Sequence, residues 1–219
     1  MAAIPLGDLA AEPPVLALQQ VGLAYGTRMI LTGISLIVPR GQTVALVGPS
    51  GIGKSSLLRV LAGLQTCDAG TCTINGKTAM VFQEPTLLPW RNLRDNITIA
   101  TGVSVAEADA ALADVGLADR PEEYPNRLSL GQQRRLSLAR AFAVKPALLL
   151  LDEPFVSLDP ELADEMMNLF ARLRDSHQVT TVLVTHIREE AERLADRIVT
   201  LAGDPATIAS DTANQAVRM

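Results

Sequence analysis

The sequence predicts an α/β fold with a mainly parallel sheet, an N-terminal antiparallel β subdomain and an inserted α-helical subdomain. Short apolar strand patterns alternate with amphipathic helical patterns over most of the chain, which is typical of a parallel sheet with helices on both faces. Before this alternation, residues 15–18 and 34–38 form two β-rich runs around a turn at Gly26, as antiparallel strands do. Later, residues 93–143 carry only helical periodicity, which indicates the insert.

Composition narrows the class of protein. The 219 residues are 48% hydrophobic and 20% charged, enough for one domain with a well-formed core. The net charge of −5 does not favour nucleic-acid binding, because such proteins are more often basic. No signal-like segment is present, and no apolar run approaches the roughly 20 residues of a membrane span, so we expect a soluble protein. Cys67 and Cys72 lack a second ligand pair nearby, which favours free thiols near a hairpin over a zinc site or a disulfide.

The two ends of the chain and one turn complete the outline. Residues 1–14 hold three prolines and little pattern, so we expect a mobile arm. Residues 71–74 followed by Asn75 and Gly76 carry the pattern of a β-hairpin. Within a single domain of residues 1–219, the predicted boundaries are 15–83 and 144–203 for the core with its antiparallel subdomain, 84–143 for the helical subdomain and 204–219 for a short polar tail.

The helices of the insert have recognisable starts. Ser104 with Glu107 and Ser129 with Gln132 match the capping box, in which two side chains satisfy the first backbone N–H groups of a helix. The other predicted elements are strands at 42–47, 78–82, 147–151, 181–184 and 197–201, the last of these being the final strand, and helices at 54–64, 161–177 and 188–196.

Residues 48–55, Gly-Pro-Ser-Gly-Ile-Gly-Lys-Ser, match the P-loop pattern between a strand and a helix. Glycines allow backbone N–H groups to approach a phosphate, and the helix start that follows favours an anion. Lys54 would lie against the β- and γ-phosphates of ATP, and Ser55 would bind Mg²⁺. The alternative is a glycine-rich turn with a capping serine. The core is therefore predicted as a P-loop NTPase, with candidate ATP-binding residues Gly48, Pro49, Ser50, Gly51, Ile52, Gly53, Lys54, Ser55 and Ser56.

Polar residues follow three of the predicted core strands, where parallel sheets bind ligands. Asp152 and Glu153 come after four leucines, as in a Walker B strand, so Asp152 is predicted to hold Mg²⁺ and Glu153 to reach an attacking water. A simple Asp-Glu-Pro turn is the alternative. His186 could reach the γ-phosphate or be a structural histidine. Gln83 lies between a strand and the insert, which suits a group that touches Mg²⁺ and moves with the insert.

Residues 128–132, Leu-Ser-Leu-Gly-Gln, resemble the signature motif of ATP-binding-cassette ATPases, which usually reads Leu-Ser-Gly-Gly-Gln. The P-loop, the Walker B strand and the residues Gln83, Asp159 and His186 occur in the order of that family. The resemblance extends from Tyr25 to about Leu201, which is almost the whole chain.

The resemblance implies catalytic and binding roles for particular residues. Glu153 would be the general base, Gln83 the Q-loop glutamine and His186 the switch histidine. From the sequence alone, Tyr25 could either stack on a flat ring or simply close a hairpin. By the resemblance, it would stack on adenine. The signature residues Ser129, Gly131 and Gln132 would cap the γ-phosphate held by a second ATPase subunit, in a homodimer formed in the ATP-bound state. Asp159, also counted among the ATP-binding residues, would belong to the D-loop, which communicates across that dimer.

Within that family, residues 82–90 are similar to subunits of nitrate, sulfonate and taurine importers. By that resemblance, the segment from Gln83 to Trp90 docks on an integral membrane permease at the cytoplasmic face of the inner membrane, with a solute-binding protein engaged indirectly. Apolar side chains exposed in a loop indicate a partner, although Leu87 and Leu88 could instead pack back on the helical subdomain.

The sequence departs from the family pattern at three points, and three alternative functions remain open. Leu130 replaces the first glycine of the signature, the link from Gly76 to Val81 is shorter than in most members, and residues 203–219 leave no room for a C-terminal regulatory domain. The alternatives are a soluble cassette ATPase acting on nucleic acid or ribosomes, an exporter subunit and a P-loop kinase. The acidic charge and the apolar loop argue against the first, and the signature motif argues against the third.

Overall fold

The computed structural model describes residues 13–214, so the arm predicted over residues 1–14 lies almost entirely outside the described residues. Within that range a single mixed sheet is flanked by helices. The strands are β1 Leu16–Tyr25, β2 Arg28–Val38, β3 Thr43–Val47, β4 Ala69–Ile74, β5 Thr78–Val81, β6 Leu148–Asp152, β7 Thr180–Val184, β8 Arg197–Gly203 and β9 Ala206–Ala213. The α-helices are α1 Lys54–Leu61, α2 Leu93–Thr101, α3 Val105–Asp114, α4 Leu130–Ala143, α5 Pro160–His177 and α6 Arg188–Leu194.

The predicted fold class is confirmed. The sheet order is β4-β1-β2-β9-β8-β3-β7-β6-β5. Strand β3 pairs in parallel with β7 and β8, and β6 pairs in parallel with β5 and β7. Strand β1 pairs antiparallel with β2 and β4, which forms the N-terminal antiparallel part. The carboxyl ends of β3, β6 and β7 therefore lie side by side, and the residues that follow them are brought together.

Strand β6 shows why the parallel core reads as a run of leucines. Leu149 and Leu151 pack into the cluster formed with the helical subdomain and α5. Leu148 and Leu150 pack into a second cluster with α1 and the antiparallel strands. Because both faces of this strand are buried, no polar alternation is possible along it.

The hairpin predicted at Asn75 and Gly76 is wrong, because β4 and β5 lie at opposite edges of the sheet. The Asn75 backbone N–H donates to the Val15 carbonyl at 2.9 Å, which continues the pairing with β1 instead of starting a turn. Gly76 has a φ of 121°, and a Cβ there would lie 2.5 Å from the Cβ of Ala147. Asn75 and Gly76 therefore belong to the connection that runs from β4 to β5 at the other edge of the sheet. The missing side chain of Gly76 lets this connection pass close to Ala147.

The polar tail predicted after residue 203 is also wrong, because β9 occupies residues 206–213. Strand β9 pairs antiparallel with β8 and touches β2 at Leu31 and Ala206, so it joins the antiparallel part to the parallel core. Strand 197–201 is thus not the final one. Sequence reasoning missed β9 because most of its residues are exposed and its apolar residues are mainly alanines, which leaves little apolar alternation.

The helices keep most of their predicted starts. Ser104 Oγ and Ser129 Oγ each accept a hydrogen bond at 3.3 Å from the backbone N–H three residues later, and both capping boxes are complete. Helix α1 ends at Leu61, so Leu64 lies beyond it and is exposed. None of the helices within residues 13–214 is long and apolar enough to cross a membrane. Cys67 and Cys72 are free thiols, as predicted.

Candidate nucleotide-binding site

The glycine-rich loop connects the end of β3 to the start of α1, in the order that the sequence predicts. Gly53 has a φ of 110°, and a Cβ there would lie 2.9 Å from side-chain atoms of Ile30 and Leu31. A Cβ on Gly48 would lie 2.7 Å from the Leu201 carbonyl oxygen. These two glycines are therefore required by the neighbouring strands as well as by the close approach that a phosphate needs.

Lys54 points back into its own loop. Its side chain is only 5% exposed, and Nζ donates to the Gly48 carbonyl at 2.8 Å and to the Pro49 carbonyl at 3.0 Å. Burial lowers the pKa of Lys54, opposed by the nearby charges of Glu153 and Asp152. An ammonium group has three donors, and these two bonds leave one for a phosphate oxygen.

Ser55 and Asp152 meet across the boundary between α1 and β6. The Ser55 hydroxyl donates to Asp152 Oδ1 at 3.0 Å. Burial raises the pKa of Asp152, and the hydrogen bond from Ser55 opposes that shift. Mg²⁺ prefers oxygen ligands and is often held by one or two protein groups together with substrate phosphates and water, so this pair fits the ion. No cluster of three or more His, Cys, Asp or Glu side chains that could hold a metal occurs among residues 13–214.

Glu153 and His186 form the second contact at this edge of the sheet. His186 Nδ1 lies 3.2 Å from Glu153 Oε1. Glu153 has a φ of 46°, a left-handed conformation that is costly for a residue with a side chain, and its backbone N–H donates to the Val184 carbonyl at 3.0 Å. The end of β7 thus fixes the strained residue, and the carboxylate is held beside the histidine.

Tyr25 ends β1 beside helix α1. Its hydroxyl donates to Gln65 Oε1 at 2.8 Å and lies 3.4 Å from Ser56 Oγ. The residue is 46% exposed and lies next to Ser56, the residue that follows the P-loop. Either a stacking role or a purely local one is consistent with this position.

The signature residues gather at the N-termini of α4 and α5. Ser129 caps α4 and Asp159 caps α5, and both are exposed. Gly131 is buried, and a Cβ there would lie 2.8 Å from Leu162 Cδ1 on α5. Gln132 Oε1 accepts from the Ser129 backbone N–H at 3.0 Å, so this side chain is occupied by capping. No hydrogen bond or ion pair within residues 13–214 joins this group to the P-loop.

The side chain of Gln83 is likewise not bonded to the P-loop residues among the described contacts. It is exposed, and the described contact of this residue is made by its backbone carbonyl, which accepts a hydrogen bond from Arg134. The structure therefore brings together Lys54, Ser55 and Asp152 near Glu153, whereas no hydrogen bond within residues 13–214 joins the Gln83 amide to them.

The apolar loop divides into two parts. Leu87 packs against the core of the helical subdomain, and the Leu88 backbone N–H donates to Asn96 Oδ1 at 2.7 Å. For Leu87, the alternative in which it packs back on that subdomain is confirmed. Trp90 is 69% exposed and Phe82 is 36% exposed, so Trp90 is the most exposed large apolar side chain of residues 82–90.

Sequence reasoning missed a buried pair beside His186. The Thr185 hydroxyl donates to Glu190 Oε2 at 2.6 Å, and the Ile187 backbone N–H donates to Thr185 Oγ1 at 3.0 Å. Burial raises the pKa of Glu190. The turn that carries His186 is thus held by the Thr185 side chain, and the sequence signal was slight, a threonine just before the histidine and a glutamate four residues after it.

The parallel core, the loop between β3 and α1, and the carboxylates after β6 define a P-loop nucleotide-binding protein. Comparison with known proteins makes the class more specific. The family described as ABC transporter matches residues 31–156. The chain is 45% identical over 192 residues to the aliphatic sulfonates import ATP-binding protein SsuB of Granulibacter bethesdensis, covering 87% of this chain and 81% of that protein. It is 47% identical over 201 residues to the protein of the same name from Mycobacterium avium, covering 89% and 78%. The chain therefore belongs to the ABC transporter family, as an ATP-hydrolysing cassette.

Solved structures agree with this assignment. The fold is similar to the ATP-binding cassette MJ0796, solved as a dimer in a post-hydrolysis state bound to ADP and Pi, with a TM-score of 0.80 and 25% identity over 93% of this chain and 99% of that one. It is also similar to cbiO1 from Clostridium perfringens, with a TM-score of 0.83 and 21% identity over 93% and 89%, which supports the fold.

Proposed function

We propose that this chain is the ATPase subunit of an importer and that it drives solute uptake through a membrane permease. The observation that carries the chemistry is the hydrogen bond between Ser55 and Asp152, with Glu153 as the next residue along the chain. This arrangement places candidate metal ligands directly beside a candidate base. The names of the relatives support import, and they make aliphatic sulfonates the first solute class to test.

Each residue has a definite task in the proposed reaction. Lys54 holds the phosphates with its remaining donor, while its two bonds to the Gly48 and Pro49 carbonyls hold the loop. Ser55 and Asp152 would hold Mg²⁺, which neutralises charge on the phosphate oxygens. Glu153 accepts the proton of the attacking water, and His186 orients the carboxylate from 3.2 Å away. Gln83 reaches the metal only when the helical subdomain moves toward the core.

The exposed end of α4 completes the site of a second copy in the ATP-bound state. A helix N-terminus presents unpaired N–H groups and partial positive charge, which suits a γ-phosphate. Ser129 and Asp159 lie at two such ends, and the contact between Gly131 and Leu162 keeps those ends adjacent. This pairing would enclose two ATP molecules between two subunits.

The permease would dock on the loop that ends at Trp90, which would keep the chain at the cytoplasmic face of the membrane. The exposure of this indole supports the proposal, because a large exposed apolar side chain is typical of a contact site. A solute-binding protein would act on the other side of the membrane, through the permease alone.

Two measurements test these proposals separately. Phosphate release from Mg-ATP by the purified chain tests the ATPase, and a chain that neither binds ATP nor releases phosphate would refute it. Capture of the chain by co-expressed permease tests docking. We expect Trp90→Ala to reduce capture and Leu64→Ala, which removes a comparably exposed apolar side chain beyond α1, to leave it unchanged. Equal capture of all three chains would refute docking through Trp90.

A further inference from the structure

One face of helix α4 binds the loop that follows β5. Arg134, Ser137 and Arg140 are spaced three residues apart and so lie on one side of the helix. Arg134 Nη1 donates to the Gln83 carbonyl, and Ser137 Oγ donates to the Pro85 carbonyl at 2.8 Å. Arg140 donates to the carbonyls of Pro85 and Thr86, at 3.1 Å and 2.9 Å. Helix α4, which begins at the signature residues, therefore binds the backbone of residues 83–86.

Arg134 differs from the other two donors because it also reaches the loop after β6. Its Nη2 donates to the Val156 carbonyl at 3.4 Å. The Val156 backbone N–H in turn donates to the Glu153 carbonyl at 3.3 Å, which closes the turn that begins at the candidate base. One guanidinium therefore connects the carbonyl of Gln83 to the turn that carries Glu153.

Stability alone does not account for this arrangement. Arg134 is only 6% exposed, and its Nε is buried without a hydrogen-bond partner in the described structure. Burial lowers the pKa of Arg134, and the negative charge of Glu84 only partly opposes this. Its acceptors are backbone carbonyls, so the buried charge is compensated poorly. A neutral side chain of similar length would avoid this cost, which suggests that the geometry is kept for another reason.

We propose that Arg134 is a positioning residue that sets the distance between the Gln83 loop and the Glu153 turn. It acts through these two carbonyls and does not touch the substrate. Because Arg134 belongs to α4, movement of the helical subdomain is transmitted to both loops together. The inference rests on the proposed function, since it needs Gln83 to reach the metal and Glu153 to act on water.

The test compares Arg134→Gln and Arg134→Met with the wild-type chain. Misplacement of a catalytic group by about 1 Å can cost roughly 100-fold in rate, so we expect kcat to fall by about 10- to 100-fold. ATP affinity, measured with a fluorescent ATP analogue, should stay within a factor of about two, because the P-loop contacts are untouched. The Mg²⁺ concentration for half-maximal activity should rise, which a merely structural loss would not produce.

The matched control is Arg135→Gln on the same helix. Arg135 donates to the Val115 carbonyl at 2.8 Å and to Glu165, and it touches neither loop. We expect its kcat and Mg²⁺ dependence to match the wild type. Arg140→Gln removes contacts to Pro85 and Thr86 but none to Val156, so its fall in kcat should be smaller than that of Arg134→Gln.

The outcomes separate this inference from the proposed function. An active wild-type chain with unchanged kcat and Mg²⁺ dependence in Arg134→Gln would overturn the inference alone. The same loss in Arg135→Gln as in Arg134→Gln would also overturn it. A wild-type chain without ATPase activity would overturn both proposals. If Arg134→Met fails to fold, the inference is tested with Arg134→Gln alone, because glutamine keeps a hydrogen-bond donor and a polar side chain.

Discussion

The P-loop end of the site (Lys54, Ser55 and Asp152) and its signature end (Ser129 and Asp159) differ in how their polar groups are bonded. At the first, Lys54 is buried and bound to two carbonyls, and Asp152 is bound to Ser55. At the second, Ser129 and Asp159 are exposed, and their described hydrogen bonds cap their own helices. The first end is assembled by contacts between distant parts of one chain, whereas the second is displayed at the surface.

This difference indicates which half of the site needs a partner. Buried polar groups must find their hydrogen bonds inside the chain, so the P-loop end is preorganised before any ligand arrives. Exposed helix ends are solvated and remain available to an external anion. In the proposed dimer, the buried P-loop end binds ATP within its own chain, and the exposed signature end contacts the ATP of the second subunit. Four predictions test this assignment of roles.

The largest effect is expected from Glu153→Gln. Removing a general base typically costs about 10²- to 10⁴-fold, so kcat should fall by that factor while ATP affinity is kept. Because ATP persists, the variant should also accumulate as a dimer in sedimentation experiments. Glu189→Gln, an exposed glutamate on α6, is the control and should behave as wild type. Wild-type turnover in Glu153→Gln would exclude the base assignment.

Lys54→Ala should damage the P-loop end itself. The change removes the charge against the phosphates and the two bonds that hold the loop. Hydrogen bonds to charged groups contribute about 1.5–3 kcal/mol, so ATP affinity should fall by roughly 10- to 100-fold. Isothermal titration of ATP measures this, with exposed Lys77→Ala as the control. Equal affinity in Lys54→Ala and wild type would contradict the proposed phosphate contact.

Gly131→Ala should damage the signature end and leave the P-loop end intact. The added Cβ would lie 2.8 Å from Leu162 Cδ1, so α4 and α5 must shift apart or the leucine must turn. Overpacking of this kind costs about 1–3 kcal/mol, which should lower the melting temperature and reduce kcat at unchanged ATP affinity. The double variant with Leu162→Ala should recover much of the kcat. No recovery would show that Gly131 is needed for another reason.

The smallest effect is expected from Leu130→Gly. This side chain is 44% exposed at the start of α4, so its loss should leave ATP affinity unchanged. Removing it should let a second subunit approach more closely and strengthen ATP-dependent pairing a few-fold, by analogy with the usual signature. Sedimentation in the Glu153→Gln background measures this. Weaker pairing after the change would show that Leu130 contributes a contact of its own.

The same contrast explains what the sequence could predict. The glycine loop, the buried strand at residues 148–152 and both capping boxes are local patterns, in which neighbouring residues carry the whole signal. Local turn chemistry misled at Asn75 and Gly76, because the choice between a hairpin and a crossing depends on where β5 pairs. That pairing with β6 involves residues about 70 positions away.

Long-range contacts were the part that sequence reasoning could not supply. Strand β9 is largely exposed, and its place in the sheet depends on pairing with β8. Arg134 reads as an ordinary polar residue of a helix, and only the structure shows that it is buried between two loops. The catalytic roles of Glu153 and Gln83 stay predictions, because they depend on ligands and on motion.

A mixing experiment tests most directly whether a second copy completes the site. One chain carries Lys54→Ala, and the other carries Ser129→Asp, which still caps the helix but repels a phosphate. Each chain alone should hydrolyse little ATP. The account predicts that the mixture regains activity, because one intact P-loop then meets one intact signature end. Activity no greater than the sum of the separate chains would contradict it.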